Sequence, residues 1–377
     1  MNYFFLYQTL KEHLLSGVAT LPPDKDAFGI SIEEFHSKSS VASFTTAPSA
    51  FDLKSGEQEK NNHFTYPMFR PLNNTPTDGC IILLHGLNER SWEKYLPWAY
   101  QLANNTNKSV ILFPIAYHMN RSPKAWCDPR QMTAFVKNRK VQLPQVKGLS
   151  VANVALSERL TNHPERFLLS GFQAANDILA LVKEIKLGKH AGIKKDGRID
   201  FFAYSIGSFL AQIMFLAHGE RELAKSKLFI FCGGSAFADW QGISKYIMDS
   251  RAFETLHSYY NKAKVEGSEQ VNDLLSNTRL GQSFVDMLSL SNLRQKGEHY
   301  FAFMKDRLSA VVLKNDSVVI ADTVKKTLKG MHFEEWDLNY PYSHIMPFPL
   351  LSNKLVNQVN EAFDKLMSKS ALLFTTC

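Results

Sequence analysis

The stretch Phe201-Phe202-Ala203-Tyr204-Ser205-Ile206-Gly207 decides the fold class of this chain. Residues 199–203 form an apolar and aromatic run with a single acidic interruption, which predicts a largely buried strand. Residues 208–217 contain good helix formers and neither Gly nor Pro, which predicts a buried helix. Ser205 therefore lies at the corner between a strand and a helix. A sharp turn there lifts the serine hydroxyl above the edge of the sheet and points the backbone amide of Ile206 the same way.

Other apolar runs predict further buried strands, and segments of helical composition separate several of them. The strand runs cover residues 81–84, 109–114, 227–232, 308–313 and 331–336. Helices are predicted for residues 91–103, 167–185, 321–329 and 351–367. Pro97 is expected to kink or divide the helix in which it falls. The alternation of strands and helices predicts an α/β fold with a mostly parallel central sheet and helices on both faces.

The composition is that of an ordinary globular protein with a large core. The chain has 377 residues, of which 45% are hydrophobic and 21% are charged. Its net charge is +7, but the basic residues are scattered and no basic stripe is interleaved with aromatic residues. We therefore expect no nucleic-acid partner. Because no apolar stretch reaches about 18 residues, we also expect no transmembrane segment. The oligomeric state is left open.

The cysteines and the N-terminal residues predict a cytoplasmic protein. No pair among Cys80, Cys127, Cys232 and Cys377 has the spacing of a metal site or a redox motif, which indicates reduced thiols. Residues 1–16 hold a short apolar run followed by charged residues, with no small-residue cleavage site. This pattern predicts an amphipathic helix rather than a signal peptide.

Composition shifts divide the chain into three predicted parts. They are an N-terminal helix and irregular extension (1–62), a core (63–238 and 297–377) with an insertion at about 124–163, and a helical cap (239–296). Residues 63–69 are predicted to form an edge strand, because Pro67 cannot donate a ladder hydrogen bond. The cap would cover the carboxyl edge of the sheet, exclude water and shape a pocket. Its alternative is a helical decoration on the scaffold.

Three polar residues follow predicted strands in the order Ser205, Asp316, His344. A serine hydroxyl is a weak nucleophile until a base removes its proton. His344 is predicted to take that proton and later to give it to the leaving group. Asp316 is predicted to hold one imidazole nitrogen and to stabilise the cation that forms. This order is that of a catalytic triad built on a nucleophile elbow, the strand-to-helix turn that presents the serine.

Each member of the triad has a competitor in the sequence. Ser235 is a second serine after a strand, but it lacks the strand-Ser-Gly-helix corner. The competing imidazoles and carboxylates lie in or near the last strand or at the end of the cap: His299, His332, Glu334, Glu335 and Asp337.

Two backbone amides are predicted to form the oxyanion hole, those of Leu87 and Ile206. Leu87 follows the strand at residues 81–84 and the pair His85-Gly86, and a glycine there lets the backbone pass close to a substrate. A plain strand-to-helix turn is the alternative for this segment.

Three further side chains are candidates for substrate contacts: His118, Arg121 and Tyr204. His118 and Arg121 follow the strand at residues 109–114, and ligand crevices in open α/β sheets form beyond the carboxyl ends of strands. Arg121 would bind an anionic group, and Arg90 also indicates an acidic feature of the substrate. Hydrogen bonds that anchor the loop are the alternative role for His118 and Arg121.

These segments resemble the α/β-hydrolase superfamily over about residues 63–370. The resemblance rests on His85-Gly86 after a strand, the elbow Ala203-Tyr204-Ser205-Ile206-Gly207, the Asp316 loop and the His344 loop. It implies an α/β-hydrolase fold with a helical cap insertion. Two departures are Ala203, which stands where the first glycine of the elbow is usual, and the separation of 120 residues from His85 to Ser205, which the insertion at about 124–163 accounts for. The N-terminal extension also lies outside the family pattern.

The segment His85-Gly86-Leu87-Asn88-Glu89-Arg90-Ser91-Trp92, together with Lys94-Tyr95-Leu96-Pro97-Trp98-Ala99, is also similar to a bacterial group of hydrolase-like proteins of unassigned function.

We therefore predict a serine hydrolase that cleaves an ester, thioester or amide through an acyl-enzyme. The alternatives are an acyltransferase on the same scaffold and a non-catalytic, hydrolase-like binding or scaffold protein. The predicted partner is a small-molecule acyl substrate, and the 27 Phe residues indicate an apolar acyl or aryl group. The sequence has no phosphate-cradling loop, paired-His metal motif or dinucleotide fingerprint, so we expect no cofactor and no metal.

Overall fold

A computed structural model of the chain describes residues 2–16, 29–40, 55–72, 76–261, 268–297, 300–350 and 355–376. Within these residues eight strands form one sheet. The strands are β1 (Ile30–Lys38), β2 (His63–Pro71), β3 (Thr77–Leu84), β4 (Ser109–Phe113), β5 (Ile193–Tyr204), β6 (Leu228–Phe231), β7 (Leu308–Leu313) and β8 (His332–Trp336).

The helices of the described residues surround this sheet. Those before β5 are α1 (Tyr3–Ser16), α2 (Ser55–Asn62), α3 (Leu96–Thr106), α4 (Pro129–Gln142), α5 (Val154–Asn162) and α6 (Glu165–Lys186). Those after β5 are α7 (Ile206–His218), α8 (Ser250–Tyr260), α9 (Glu269–Asn277), α10 (Arg279–Asp286), α11 (Leu290–Gln295), α12 (Ala321–Thr327) and α13 (Val356–Thr375). Short 3-10 turns lie between some of them. In the described part of the chain, no helix combines the length and the apolar character needed to cross a membrane.

The strand order across the sheet is β1-β2-β4-β3-β5-β6-β7-β8. From β4 to β8 every neighbouring pair is parallel, whereas β2 is antiparallel to both β1 and β4. Parallel strands that are covered on both faces read as continuous apolar runs, and β4, β6 and β7 are buried at every position. The structure confirms the predicted α/β-hydrolase fold with a mostly parallel sheet.

Side chains of β5 alternate between two hydrophobic clusters. Phe201 and Ala203 face a cluster that includes residues of α6, α7 and α10. Phe202 and Tyr204 face the other cluster, which includes residues of α1, α3 and α13. Ser205 follows immediately, so the corner lies at the end of a strand that is held from both faces.

The sheet extends further at its N-terminal end than the sequence predicted. Strand β1 pairs with β2 along its whole length, from Ile30 opposite Pro71 to Lys38 opposite His63, so β2 is not the edge strand. The edge position inferred from Pro67 was wrong. Pro67 is tolerated because the ladder between β2 and β4 contains only Met68 and Phe69 of β2, and it begins just after the proline.

Helix α1 packs against α3 and α13 through one apolar side. Tyr3, Leu6 and Leu10 are buried on that side, whereas Phe4 and Phe5 are exposed. This spacing is that of an amphipathic helix. The described parts of residues 1–62 are therefore regular elements, a helix, a strand and a second helix. Residues 17–28 and 41–54, which carry the rest of the predicted extension, lie outside the described residues.

Helices also occupy the two segments that interrupt the alternation of strands and helices. The insertion predicted at about 124–163 contains α4 and α5, and the segment at 239–296 contains α8 to α11. Pro97 divides its helix as expected, since a short 3-10 turn ends at Tyr95 and Pro97 lies in the first turn of α3.

Candidate active site

Ser205 occupies the corner between β5 and α7 in a backbone conformation that a residue with a side chain rarely adopts. Its φ is 55° and its ψ is −122°. Such a conformation costs of the order of 1–3 kcal/mol and persists only where the surrounding structure enforces it. The next turn of chain packs tightly as well, because a Cβ added at Gly207 would lie 2.7 Å from the carbonyl oxygen of Leu84. The elbow is therefore held by its contact with the end of β3.

The side chains of Ser205, His344 and Asp316 form a continuous hydrogen-bonded row. Ser205 Oγ lies 2.7 Å from His344 Nε2, and His344 Nδ1 lies 2.7 Å from Asp316 Oδ2. His344 and Asp316 are only 3% and 4% exposed. An ionised carboxylate can only accept, so Nδ1 donates to Asp316 and Nε2 keeps its lone pair for the serine proton. The row can move a proton from the hydroxyl to the imidazole.

Asp316 is itself fixed by the backbone that follows it. Its Oδ1 accepts hydrogen bonds from the amides of Val318 at 2.8 Å and Val319 at 3.0 Å. These bonds leave Oδ2 directed at His344, so the loop after β7 sets the orientation of the imidazole.

The competitors have other partners or other positions. Glu334 accepts from Lys369 and Trp336 Nε1, and Asp337 pairs with Lys314. His332 and Glu335 are both exposed on β8. His299 lies outside the described residues. Ser235 is buried in the wall of the cavity that Ser205 also lines, but no histidine of the described residues is hydrogen-bonded to its hydroxyl.

The amides of Leu87 and Ile206 are candidates to bind an oxyanion. Both residues line the same cavity as Ser205. Ile206 is the first residue of α7, where backbone N–H groups have no partner within the helix. Among the described residues the structure gives no acceptor for either amide. Both N–H groups thus remain available to a ligand.

A second cavity continues from the first, since Leu87, Ile206 and Phe209 line both. Its wall is almost entirely apolar and is built by α6, α7 and α10. The larger side chains in it are Phe167, Phe172, Phe209, Leu210, Ile213 and Phe284. This space fits an apolar group.

His118 also lines that apolar cavity and is buried in it. Its Nδ1 lies 2.9 Å from the carbonyl oxygen of Ala116, which requires Nδ1 to carry the proton and Nε2 to be an acceptor. Nε2 has no partner among the described residues. Burial, with the nearby His85 adding to it, holds the pKa of His118 well below its ordinary value. His118 is therefore neutral, with a buried Nε2 acceptor beside the cavity.

Arg121 does not fit the predicted role in binding an anionic substrate. Its side chain is completely buried and pairs with Asp177 at 2.9 Å. Its remaining nitrogens donate to the carbonyl oxygens of Asn61 and Pro114. The expectation is corrected because these donors already have protein acceptors: Arg121 anchors the loop after β4.

Tyr204 holds the histidine loop rather than a substrate. Its hydroxyl donates to the backbone carbonyl of His344, and its ring is stacked against the imidazole with centroids 5.6 Å apart. The side chain is buried to 1% exposure. Tyr204 faces the α3 side of the sheet, away from the cavities, so a substrate contact is not its role.

A polar network beside the site was missed by the sequence predictions. Glu89 accepts from Lys94 Nζ and from the hydroxyl of Tyr95. Lys94 Nζ also donates to the carbonyl oxygen of Ile345 at 3.1 Å, and the hydroxyl of Tyr95 accepts from Gly86 N at 2.9 Å. The network ties the loop after β3 to the residue that follows His344. The only sequence feature that pointed to this network was the pair Glu89 and Lys94, an acid and a base five residues apart close to His85-Gly86.

One family model matches the chain, over residues 1–375. Its description is a family of unknown function, DUF6051. The chain belongs to the DUF6051 family. No curated protein is a significant match to the sequence.

Several solved esterase structures are similar in fold to this DUF6051 protein at low sequence identity. An esterase from Pyrobaculum calidifontis is 12% identical, with a TM-score of 0.45 over 100% of this chain and 93% of that one. A thermostable esterase from Pseudomonas putida is 13% identical, with a TM-score of 0.41 over 99% and 92%. Carboxyl esterase 2 from Tuber melanosporum is 9% identical, with a TM-score of 0.44 over 94% and 89%.

In the described residues of this DUF6051 protein, no cluster of three or more His, Cys, Asp or Glu side chains could hold a metal ion. The cysteines of that part, Cys80, Cys127 and Cys232, are free thiols. Cys377 lies outside it.

Proposed function

We propose that this protein is a serine hydrolase that cleaves an ester, thioester or amide through an acyl-enzyme formed on Ser205. The observation that carries the proposal is the row of two 2.7 Å contacts from Ser205 to His344 and from His344 to Asp316. The serine sits at an elbow with positive φ, at the carboxyl edge of a parallel sheet. Contacts within hydrogen-bond distance favour a catalytic role over a non-catalytic, hydrolase-like protein.

In the proposed first step, Ser205 Oγ attacks the substrate carbonyl carbon while its proton passes to His344 Nε2. The carbonyl oxygen becomes an oxyanion, which the amides of Leu87 and Ile206 would bind. Each such donor is worth about 3–4 kcal/mol in a comparable site. His344 then gives its proton to the leaving alcohol, thiol or amine, and the acyl group stays on Ser205.

In the second step a water molecule attacks the acyl-enzyme, with His344 acting as base again and returning the proton to Ser205. Asp316 accepts from His344 Nδ1 throughout and stabilises the imidazolium. The apolar cavity of α6, α7 and α10 is the proposed acyl site, which favours an apolar acyl or aryl group.

We further propose that the segment at 239–296 acts as a cap. Trp240, Ile247 and Met248 contribute to the wall of the cavity around Ser205, and Leu280 and Phe284 contribute to the apolar cavity. Side chains from outside the sheet therefore enclose the site, and enclosing it strengthens every electrostatic contact inside.

A fluorophosphonate probe, which phosphonylates an activated serine, tests the proposal. The wild-type protein is expected to label, Ser205→Ala is expected not to label, and Ser235→Ala is expected still to label. Absence of labelling in the wild type, or equal labelling of Ser205→Ala, would contradict the proposal.

Asp316→Asn is expected to lower kcat by about 10⁴, because the imidazole of His344 would lose its correct tautomer. Hydrolysis of 4-nitrophenyl esters of increasing chain length measures this effect.

A further inference from the structure

Arg90 is a partly buried cation that has no carboxylate partner among the described residues. It follows the Leu87 amide by three residues in the loop after β3. Its Nη1 donates to the carbonyl oxygen of Tyr117 at 3.2 Å, and its Nη2 donates to Asn88 Oδ1 at 2.9 Å. Its Nε is buried and has no acceptor among the described residues. The guanidinium lies 5.1 Å from the ring of Trp126.

Within the described part of the chain, no carboxylate neutralises the charge of Arg90. No Asp or Glu of the described residues forms an ion pair with Arg90. The neighbouring carboxylate, Glu89, is already bound to Lys94 and to the hydroxyl of Tyr95. Burial lowers the pKa of Arg90 to about 10, which still leaves it charged at neutral pH. A partly buried cation that no protein carboxylate neutralises favours the binding of an anion.

A cleft places this cation next to the proposed reaction centre. Arg90, Trp126 and Tyr246 line the cleft together with Leu87 and Ile345. Leu87 supplies one proposed oxyanion amide and also lines the cavity at Ser205 and the apolar cavity, and Ile345 directly follows His344. A ligand in the cleft can therefore reach the catalytic row with another part of the same molecule.

The loop is built to hold the guanidinium at that place. The side-chain nitrogen of Asn88, Nδ2, donates to the carbonyl oxygens of Ala152 and Tyr246, at 2.8 Å and 2.9 Å. The side-chain oxygen of Asn88 accepts from Arg90. Asn88 thereby fixes Arg90 relative to the insertion and to the segment at 239–296. The guanidinium of Arg90 carries one positive charge and several N–H donors, which matches a monoanion such as a carboxylate.

We propose that the substrate of this protein carries a carboxylate that Arg90 binds in the cleft of Leu87, Trp126, Tyr246 and Ile345. This inference rests on the proposed hydrolase function of Ser205. The protein would select acyl compounds that bear an acid group several bonds from the bond that is cleaved, over the same compounds with that acid masked as an ester.

Two matched pairs of substrates test the proposal in the full-length protein. The acyl-side pair is 4-nitrophenyl hydrogen glutarate and its methyl ester, and the leaving-group pair is 4-acetoxybenzoate and its methyl ester. We expect the wild-type protein to prefer the carboxylate in at least one pair by about tenfold or more in kcat/KM. If neither pair shows this preference, the proposal is wrong.

Variants then assign the preference to Arg90. Arg90→Gln is expected to bring the ratio of kcat/KM within the preferred pair close to one, and Arg90→Lys to keep part of it because the charge remains. Arg251→Gln removes one exposed positive charge from α8 and is expected to keep the wild-type ratio. An unchanged ratio in Arg90→Gln, or an equal fall in Arg251→Gln, would overturn the assignment.

Binding without turnover separates this inference from the proposed function. In Ser205→Ala protein, calorimetric titration with 4-acetoxybenzoate and with its methyl ester is expected to give the tighter Kd for the carboxylate. The glutarate pair is titrated in the same way. Adding Arg90→Gln is expected to remove the difference in the preferred pair. Absence of fluorophosphonate labelling in the wild-type protein would refute the hydrolase alone, whereas equal Kd values within both pairs would refute the anion site alone.

Discussion

Both ring nitrogens of His85 are hydrogen-bonded, and one of these bonds joins the ends of β3 and β4. Its Nε2 accepts from the amide of Ile115 at 3.0 Å, and its Nδ1 lies 2.8 Å from the carbonyl oxygen of Gly86. This pairing requires the neutral imidazole with its proton on Nδ1. Burial lowers the pKa of His85 to about 3, so the folded protein keeps this form at any moderately acidic pH.

The lowered pKa of His85 predicts a loss of stability in acid. The unfolded chain takes up the proton near pH 6.5 and the folded chain only near pH 3, so stability falls as the pH drops through that interval. At pH 5 the contribution of His85 to this loss is about 2 kcal/mol. Urea unfolding at pH 7 and pH 5 measures it. His85→Gln is expected to lose about 2 kcal/mol less than the wild type between these values.

His36 provides the control for this measurement because it is exposed on β1. His36→Gln is expected to lose as much stability as the wild type. If His85→Gln and the wild type lose the same free energy of unfolding between pH 7 and pH 5, His85 is not the group responsible.

Among the elements, the β5-turn-α7 unit depends on a close approach between α7 and β3. A Cβ at Gly207 would lie 2.7 Å from both the Cβ and the carbonyl oxygen of Leu84. The backbone of β3 cannot move away easily, because β3 is paired with β4 on one side and β5 on the other. The strained conformation of Ser205 and the glycine two positions later therefore both depend on this close approach.

Gly207→Ala is predicted to destabilise the protein by about 1–3 kcal/mol through overpacking against Leu84. It is also expected to lower kcat, since the elbow must shift to make room. Gly171→Ala is the matched variant, because Gly171 lies within α6 and an added Cβ there has no atom within 4 Å. That variant is expected to gain about 0.5–1 kcal/mol from helix propensity. Thermal and urea unfolding compare the two, and equal stability changes would contradict the close-approach explanation.

On the scale of the whole molecule, helix α1 supports the region that carries His344. Tyr3 packs against Phe348 and Phe363, with ring centroids 5.8 Å and 4.7 Å apart. Phe348 in turn contacts Trp98 and Phe231 in the hydrophobic cluster that includes residues of α1, α3 and α13. The first helix of the chain is thereby part of the core next to the histidine loop.

Leu6→Ala is predicted to destabilise the protein by about 2–5 kcal/mol, because it removes a completely buried side chain between α1 and the core. Phe5→Ala is the control, since Phe5 is 54% exposed on the opposite side of the same helix. Its effect is expected to stay within about 0.5 kcal/mol. Urea unfolding measures both. Equal effects would show that α1 is not docked as described.

The sequence predicted well those features that depend on neighbouring residues. Strands β3, β4, β6 and β7 appear as continuous apolar runs, and α6 is recognisable despite Gly171. Strand pairing was harder, because β1 comes from a segment whose partner β2 begins 25 residues after β1 ends, and nothing local to Pro67 reveals it. Arg121 was misassigned for a similar reason, since its partner Asp177 is 56 residues away.

The sequence by itself determined the α/β class of the fold and the order in which a serine, an acid and an imidazole follow strand ends. Parallel strands end at one edge of a sheet, so that order already favours their meeting. Only the tertiary structure decided the distances among groups 139 and 28 residues apart, the place of Tyr204 behind His344, and the lack of a carboxylate for Arg90 among the described residues. The physical reason is that burial and charge pairing are properties of side chains brought together from distant parts of the chain.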